Sequence, residues 1–235
     1  MATALGTIES VRVVSVAGAM RRKVEVINEL AFVLAVDKRL SLAQLARRVE
    51  QILNMTEVSS HRETVTARPP LGLPVLITTA APHHYGSALL RATGSVQDLD
   101  ELRQRFAERG LADWNAVRDA FAGESIEEEE IYRGAGLPFI PPEVREGHGE
   151  IQWANVGALP SPLEAAHIQG FLHAHTVYTD GTGTMEEMVV AAQEQGYRYI
   201  GISDHSQSTS LWVNHHQWIV RAVRQCSLSS AFTKP

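Results

Sequence analysis

Residues 171–183 read FLHAHTVYTDGTG, and residues 202–206 read ISDHS. The first stretch sets His173 and His175 two apart, with Asp180 five residues beyond; the second adds Asp204 and His205 after an apolar run. Imidazole and carboxylate donors of this kind hold zinc, manganese or iron. Such an ion lowers the pKa of water and stabilises charge on a phosphoryl oxygen, so the chemistry implied is metal-dependent hydrolysis of a phosphoester. The plain alternative for a His-x-His pair is two solvated surface histidines. What lifts this pair above it is the frame that carries it.

In a strand over 168–174 side chains alternate, so His173 and His175 share one face while Leu172 and Ala174 share the other. A helix over 185–195 follows, with Thr184 and Glu187 as a capping box and Gly196 as its stop. A strand over 198–203 returns the chain. This β-α-β pattern predicts a parallel sheet or barrel, in which the C-terminal strand ends gather at one rim. His205 then arrives beside His173 and His175, and Asp180 folds back from the loop. These four residues are the expected ligands. In the tail, Trp212, His215/His216, Ile219 and Val223 are spaced as on a helix. His215 and His216 are therefore read as helix residues rather than ligands.

Upstream, 11–16 (VRVVSV) and 24–36 predict two strands joined by a turn at Gly18 and the basic triplet Arg21, Arg22, Lys23. Ser41 is placed to cap a helix whose apolar face is Leu42, Leu45, Val49, Ile52 and Leu53. Pro74 predicts an edge strand or a strand start around Val75–Thr79. A short helix is expected over Tyr85–Leu90, then a turn at Thr93-Gly94-Ser95. A second helix over Asp98–Arg109 turns Leu99, Leu102 and Phe106 inward and ends at Gly110. Ser125 and Glu128 have capping-box spacing, with Glu127–Glu130 in a first helical turn where the dipole favours acid. Residues 136–151 hold three prolines and three glycines and read as an extended linker, with a domain boundary near 150–165.

The chain has 235 residues and a net charge of −6, which gives no global basic signature for nucleic acid. Its one cysteine, Cys226, excludes an intramolecular disulfide and a Cys-rich zinc module, and fits a reducing, cytoplasmic setting. No basic-then-apolar leader opens the chain, and no apolar run reaches membrane-spanning length.

HAHTVYTDG and ISDHS are similar to the first two motifs of the PHP (polymerase and histidinol phosphatase) domain. LPFIPPEVREGHGEI resembles the segment that joins polymerase core to PHP domain in bacterial family X DNA polymerases. VAGAMRR and YGSALLRATGS resemble that family's Gly-Ser-x-Arg-Arg and Phe-Gly-x-Ala-Leu…Thr-Gly-Ser stretches, and the likeness runs from about residue 11 to 210. The resemblance implies an α/β chain. An α+β nucleotidyltransferase-like palm would span 1–92, a helical thumb-like segment 93–135 and a linker 136–165. The first β-α-β portion of a PHP β/α barrel would span 166–235.

It also implies DNA repair chemistry, a DNA partner, zinc or manganese in the PHP site and magnesium in the palm. Gly18, Arg22, Thr93, Gly94 and Ser95 match phosphate- and nucleotide-binding positions. The carboxylates depart from the pattern. Asn28-Glu29-Leu30-Ala31 stands where the family carries Asp-x-Asp, and the third aspartate falls at Leu76. Glu29 is the sole remnant, so templated synthesis is not expected. The chain also reads as truncated at both ends of the family pattern.

The leading expectation is a family X polymerase-like, PHP-containing protein with residual metal-dependent phosphoesterase or exonuclease activity. The alternative is a DNA- or protein-binding pseudoenzyme, with Arg21, Arg22, Lys23, Arg103, Arg105 and Arg109 on phosphates, or an inactive fragment.

Overall fold

The structure is a computed structural model that describes residues 1–37, 39–123, 127–205 and 218–224. It divides into two compact units, Met1–Pro162 and Leu163–Pro235.

The first unit opens with α1 (Ala2–Leu5), β1 (Val11–Ala17), α2 (Gly18–Arg21) and β2 (Leu30–Val36). Then come α3 (Leu42–Leu53), β3 (Thr56–His61), β4 (Thr64–Arg68) and β5 (Val75–Ala80). The strands form one sheet in the order β1-β2-β5-β4-β3, with β2 and β5 parallel and the other pairs antiparallel. β2 reads LAFVLAV and is buried on both faces, which is why its apolar residues do not alternate. On one face Phe32, Leu34, Val65 and Ile77 pack against Leu5, Leu45 and Val49 from α1 and α3. On the other, Ala17, Ala31 and Val33 pack against Leu89.

Leu89 belongs to α4 (Tyr85–Thr93), which leads into α5 (Val96–Ala107), α6 (Trp114–Ala120), α7 (Glu128–Gly134) and α8 (Glu150–Asn155). These helices close around Leu90, Leu102, Phe106, Val117, Ile131 and Tyr132. Helices with a shared apolar core beside a sheet of this order make the chain α/β in class.

Several expectations need correcting. The second strand begins at Leu30, not at residue 24. Pro74 does precede a strand, but β5 lies in the middle of the sheet. A proline just outside the first ladder residue removes no donor that the sheet needs. Residues 56–68, to which patterning assigned nothing, form the β3–β4 hairpin. Ile52 is 40% exposed, whereas Leu45 and Val49 of the same helix are buried.

The stretch 136–151 is not an extended linker. Leu137, Ile140 and Ile151 sit in the helical core, and Arg145 is fully buried. Arg145 donates from Nε to the Ile140 carbonyl at 2.8 Å and from Nη1 to Glu128 at 2.6 Å. Its guanidinium lies 5.1 Å and 5.2 Å from the ring centres of Tyr132 and Phe139. Prolines limit helix here to a short 3-10 turn at Pro142–Val144, ahead of α8, without forbidding burial. Glu128 is in the first turn of α7 as expected, and it is buried between Arg21 and Arg145. Ser125, its expected capping partner, lies outside the described residues.

The second unit contains β6 (Gly170–Ala174), α9 (Met185–Glu194), β7 (Tyr199–His205) and β8 (Trp218–Arg224). β6 and β7 are parallel, as the β-α-β pattern requires, and β8 adds antiparallel to β7. Residues 218–224 are thus strand where helical spacing was read; Trp212, His215 and His216 lie outside the described residues. α9 starts with the expected box: the Glu187 N–H donates to Thr184 Oγ1 at 3.2 Å, and Glu187 accepts from the Thr184 N–H at 2.8 Å. Val189 and Ala192 of α9 bury against Ala174, Ile200 and Ile202. Among the described residues no helix is long and apolar enough to cross a membrane.

Candidate metal centre

β6 and β7 run side by side, so their C-terminal ends deliver His173, His175 and His205 to one edge of the small sheet. A register shift between Phe171 and Ala174 interrupts strict alternation, yet Ala174 is buried and His173 and His175 turn away from it. The loop after β6 is drawn back over this edge. Gly181 allows the turn: a Cβ there would lie 2.0 Å from the His175 carbonyl oxygen. Its N–H donates to the Thr176 carbonyl at 3.0 Å.

Asp180, carried by that turn, reaches two imidazoles. Its Oδ1 lies 3.0 Å from His175 Nδ1, and its Oδ2 lies 3.3 Å from His205 Nε2. One donor atom from each of His175, Asp180 and His205 falls within 4.8 Å of the others. His173 Nε2 meets the opposite nitrogen, His175 Nε2, at 3.0 Å. The four expected ligands therefore come together, but not around one point. Three form a group, and His173 approaches the far side of His175. Two nitrogen or oxygen donors about 2.1 Å from a tetrahedral zinc stand about 3.4 Å apart; the Asp180 contacts at 3.0 Å and 3.3 Å are close to that spacing, and the 4.8 Å bound on the whole group is wider than one ion allows without the side chains drawing in.

Sequence reasoning named Asp204 only as the neighbour of His205. In the structure it fastens the loop. The Thr176 N–H, the Thr176 hydroxyl and the Thr179 hydroxyl each donate to its carboxylate at 2.7 Å. Partial burial works to raise the Asp204 pKa, but these hydrogen bonds and the nearby His175 outweigh it and hold the carboxyl below the usual range. At Asp180 desolvation, the largest single effect, is likewise outweighed by His175 and His205 together, and its pKa is lowered. An open cleft of about 490 Å³ adjoins the group, lined by His175, Asp180, Gly181, Glu187 and Met188.

The upstream positions that the resemblance assigns to phosphate and nucleotide binding are arranged differently. Gly18 has φ +61°, and a Cβ there would come 2.9 Å from the Ala31 side chain. Arg22 donates to Glu146 at 2.6 Å and to the Thr93 carbonyl at 2.7 Å. Thr93 is fully buried and its hydroxyl accepts from Arg21 at 2.9 Å. Gly94 leads directly into the next helix, and a Cβ there would lie 2.6 Å from an Asp98 carboxylate oxygen. Ser95 caps α5 by accepting from the Asp98 N–H at 3.1 Å. The polar groups of Arg22, Thr93 and Ser95 are thus engaged within the protein.

Glu29 is exposed just ahead of β2. Ala31 and Leu76 are register partners on the adjacent parallel strands β2 and β5. Two of the three positions where the resembled family carries aspartates therefore stand side by side, and both are apolar.

Residues 172–227 match the PHP domain. The chain is also 28% identical over 196 residues to the DNA polymerase/3'-5' exonuclease PolX of Bacillus subtilis (strain 168); the match covers 81% of this chain and 34% of that protein. The chain thus spans about a third of the length of the curated relative it matches. The resemblance first read from HAHTVYTDG, ISDHS and the upstream motifs therefore holds: the chain is similar to a bacterial family X DNA polymerase with a PHP domain.

Proposed function

We propose that this chain is a metal-dependent phosphoesterase of the PHP type, acting on the phosphodiester ends of DNA in a reducing cytoplasmic setting. The observation that carries the proposal is the convergence of His175, Asp180 and His205, with donor atoms within 4.8 Å of one another. The donor set is mixed imidazole and carboxylate, which suits zinc or manganese. The name of the PolX relative, an exonuclease as well as a polymerase, supports a DNA substrate.

A divalent cation supplies charge stabilisation at a phosphoryl oxygen and a more acidic water. The chain's own residues do the rest. His175, Asp180 and His205 hold the ion, and Asp204 fixes the loop that presents Asp180. The cleft beside α9 admits the scissile group. Polymerase activity is not part of the proposal: Glu29 alone, with Ala31 and Leu76 apolar, does not align two magnesium ions for nucleotidyl transfer.

The test is metal content of the purified chain beside a His173→Ala/His175→Ala double variant, followed by hydrolysis of bis(p-nitrophenyl) phosphate. Stoichiometric zinc or manganese, lost in the variant together with hydrolysis, is the expected result. Equal metal content in both proteins, or none in either, would sink the proposal.

A further inference from the structure

The cations named from the sequence as phosphate contacts are mostly committed elsewhere. Arg21 pairs with Glu128, Arg22 with Glu146, Lys23 with Glu143 and Arg105 with Glu108. A different set stands on α3. Gln44, Arg47, Arg48 and Gln51 follow i, i+3, i+4, i+7 spacing and so form one stripe of the helix, opposite the buried Leu45 and Val49. Arg39, just before the helix, continues the line.

This stripe is one wall of a groove of about 690 Å³, closed on the other side by the segment Thr7–Ser10. Arg39, Arg47 and Arg48 are exposed, and no carboxylate among the described residues pairs with them, unlike Arg12 with Asp37 or Arg68 with Glu57. Glu9 is the one acidic residue in the lining. Exposed Ile52 adds an apolar ledge at one end. α3 packs on the sheet face shared with α1, whereas Ala31 lies on the face covered by α4. The groove is therefore separate from the degenerate palm positions.

We infer that this groove binds the backbone of a nucleic-acid strand, independently of the proposed phosphoesterase site. Three unpaired guanidinium groups in a chain of net charge −6 form a local cationic track. Between residues 44 and 51 a helix rises about 10 Å, so side chains along it reach more than one phosphate of a strand laid in the groove. Guanidinium forks suit phosphate oxygens, and the amide of Gln51 adds hydrogen-bonding capacity along the same line, while the Gln44 oxygen is held by Ser41. An acidic peptide would answer the charge as well, and competition by poly-glutamate distinguishes it.

The test is fluorescence anisotropy of a labelled oligo-dT strand with the full chain, over a range of NaCl and in EDTA so that metal-dependent binding is removed. The triple variant Arg39→Ala/Arg47→Ala/Arg48→Ala is compared with wild type and with the His173→Ala/His175→Ala variant. Three phosphate contacts contribute about 2 to the slope of log Kd against log salt on a single strand. We expect the triple variant to lose about that slope and at least tenfold in affinity at low salt. Its thermal unfolding should be unchanged, and the histidine variant should bind as wild type does. Unchanged slope and affinity in the triple variant would overturn the inference. So would competition by poly-glutamate at equal charge concentration, which would mark the groove as a site for acidic protein.

Discussion

Asp204 holds Thr176 by both of its donors: the backbone N–H and the hydroxyl each reach the carboxylate at 2.7 Å. The residue before His205 thus fixes the loop whose next turn carries Asp180. Groups that orient ligands from outside the ligand set are worth about 10–100-fold in metal affinity. Asp204→Ala is expected to weaken zinc binding by that factor while leaving His175 and His205 in place. Competition with a chelating dye measures it, and wild-type affinity in the variant would remove Asp204 from the design.

His173 and His175 are not equivalent. His175 faces Asp180 through Nδ1, and His173 meets it at Nε2. His175→Ala should abolish metal retention, whereas His173→Ala should retain an ion at reduced affinity. Metal analysis of the two single variants, dialysed side by side, distinguishes this from a ring of four equal ligands.

Asp98 gives the first unit a pH dependence. It is 1% exposed, and burial raises its pKa from 3.8 to about 6, against the opposing pull of Arg145. A carboxyl that is less acidic folded than unfolded favours the folded state when protonated. The advantage is full below about pH 4 and is lost as pH rises through about 6. Asp98→Asn should therefore exceed wild type in stability at pH 8 by up to about 3 kcal/mol, with the difference gone by pH 4. Asp204, whose pKa is lowered, works in the opposite sense: its contribution is lost as pH falls. Urea titrations across the pH range measure both slopes.

Glu128 lies between Arg145, which donates to it at 2.6 Å, and Arg21, which donates to both its oxygens at 2.5 Å and 3.0 Å. Breaking a buried pair on one side leaves a charge uncompensated, at about 3–5 kcal/mol. Glu128→Gln should destabilise the chain by that order. Arg145→Met combined with Glu128→Gln should recover part of the loss, and the double-mutant cycle in urea gives the coupling directly.

Legibility in the sequence followed the physics of each element. The cap at Ser41 and the capping box at Thr184/Glu187 were readable because a cap is local: side chain and backbone partner lie three residues apart; that Gln44 completes a box at Ser41 was not read from the sequence. The convergence of His175, Asp180 and His205 was readable because parallel strands put their ends at one edge. The clamp by Asp204 was not. An Asp-His dipeptide looks like two ligands, and only the register shows that the aspartate turns to Thr176. The β3–β4 hairpin was missed because β3 is nearly all exposed and carries no apolar alternation. Residues 136–151 misled for the opposite reason. Proline and glycine report backbone freedom, and the burial of Arg145 depends on Glu128, Tyr132 and Phe139, which composition does not join.

The pairing of Ala31 with Leu76 also bears on the history open to this chain. A single aspartate placed at 31 would enter an apolar wall with Ala17, Val33 and Leu89. A second at 76 would stand directly beside it, and the two would repel until metal bound. Each step taken alone harms the fold before both together could help the chemistry. Carboxylates at 31 and 76 would therefore be tolerated by this sheet only together, with a cation to hold them.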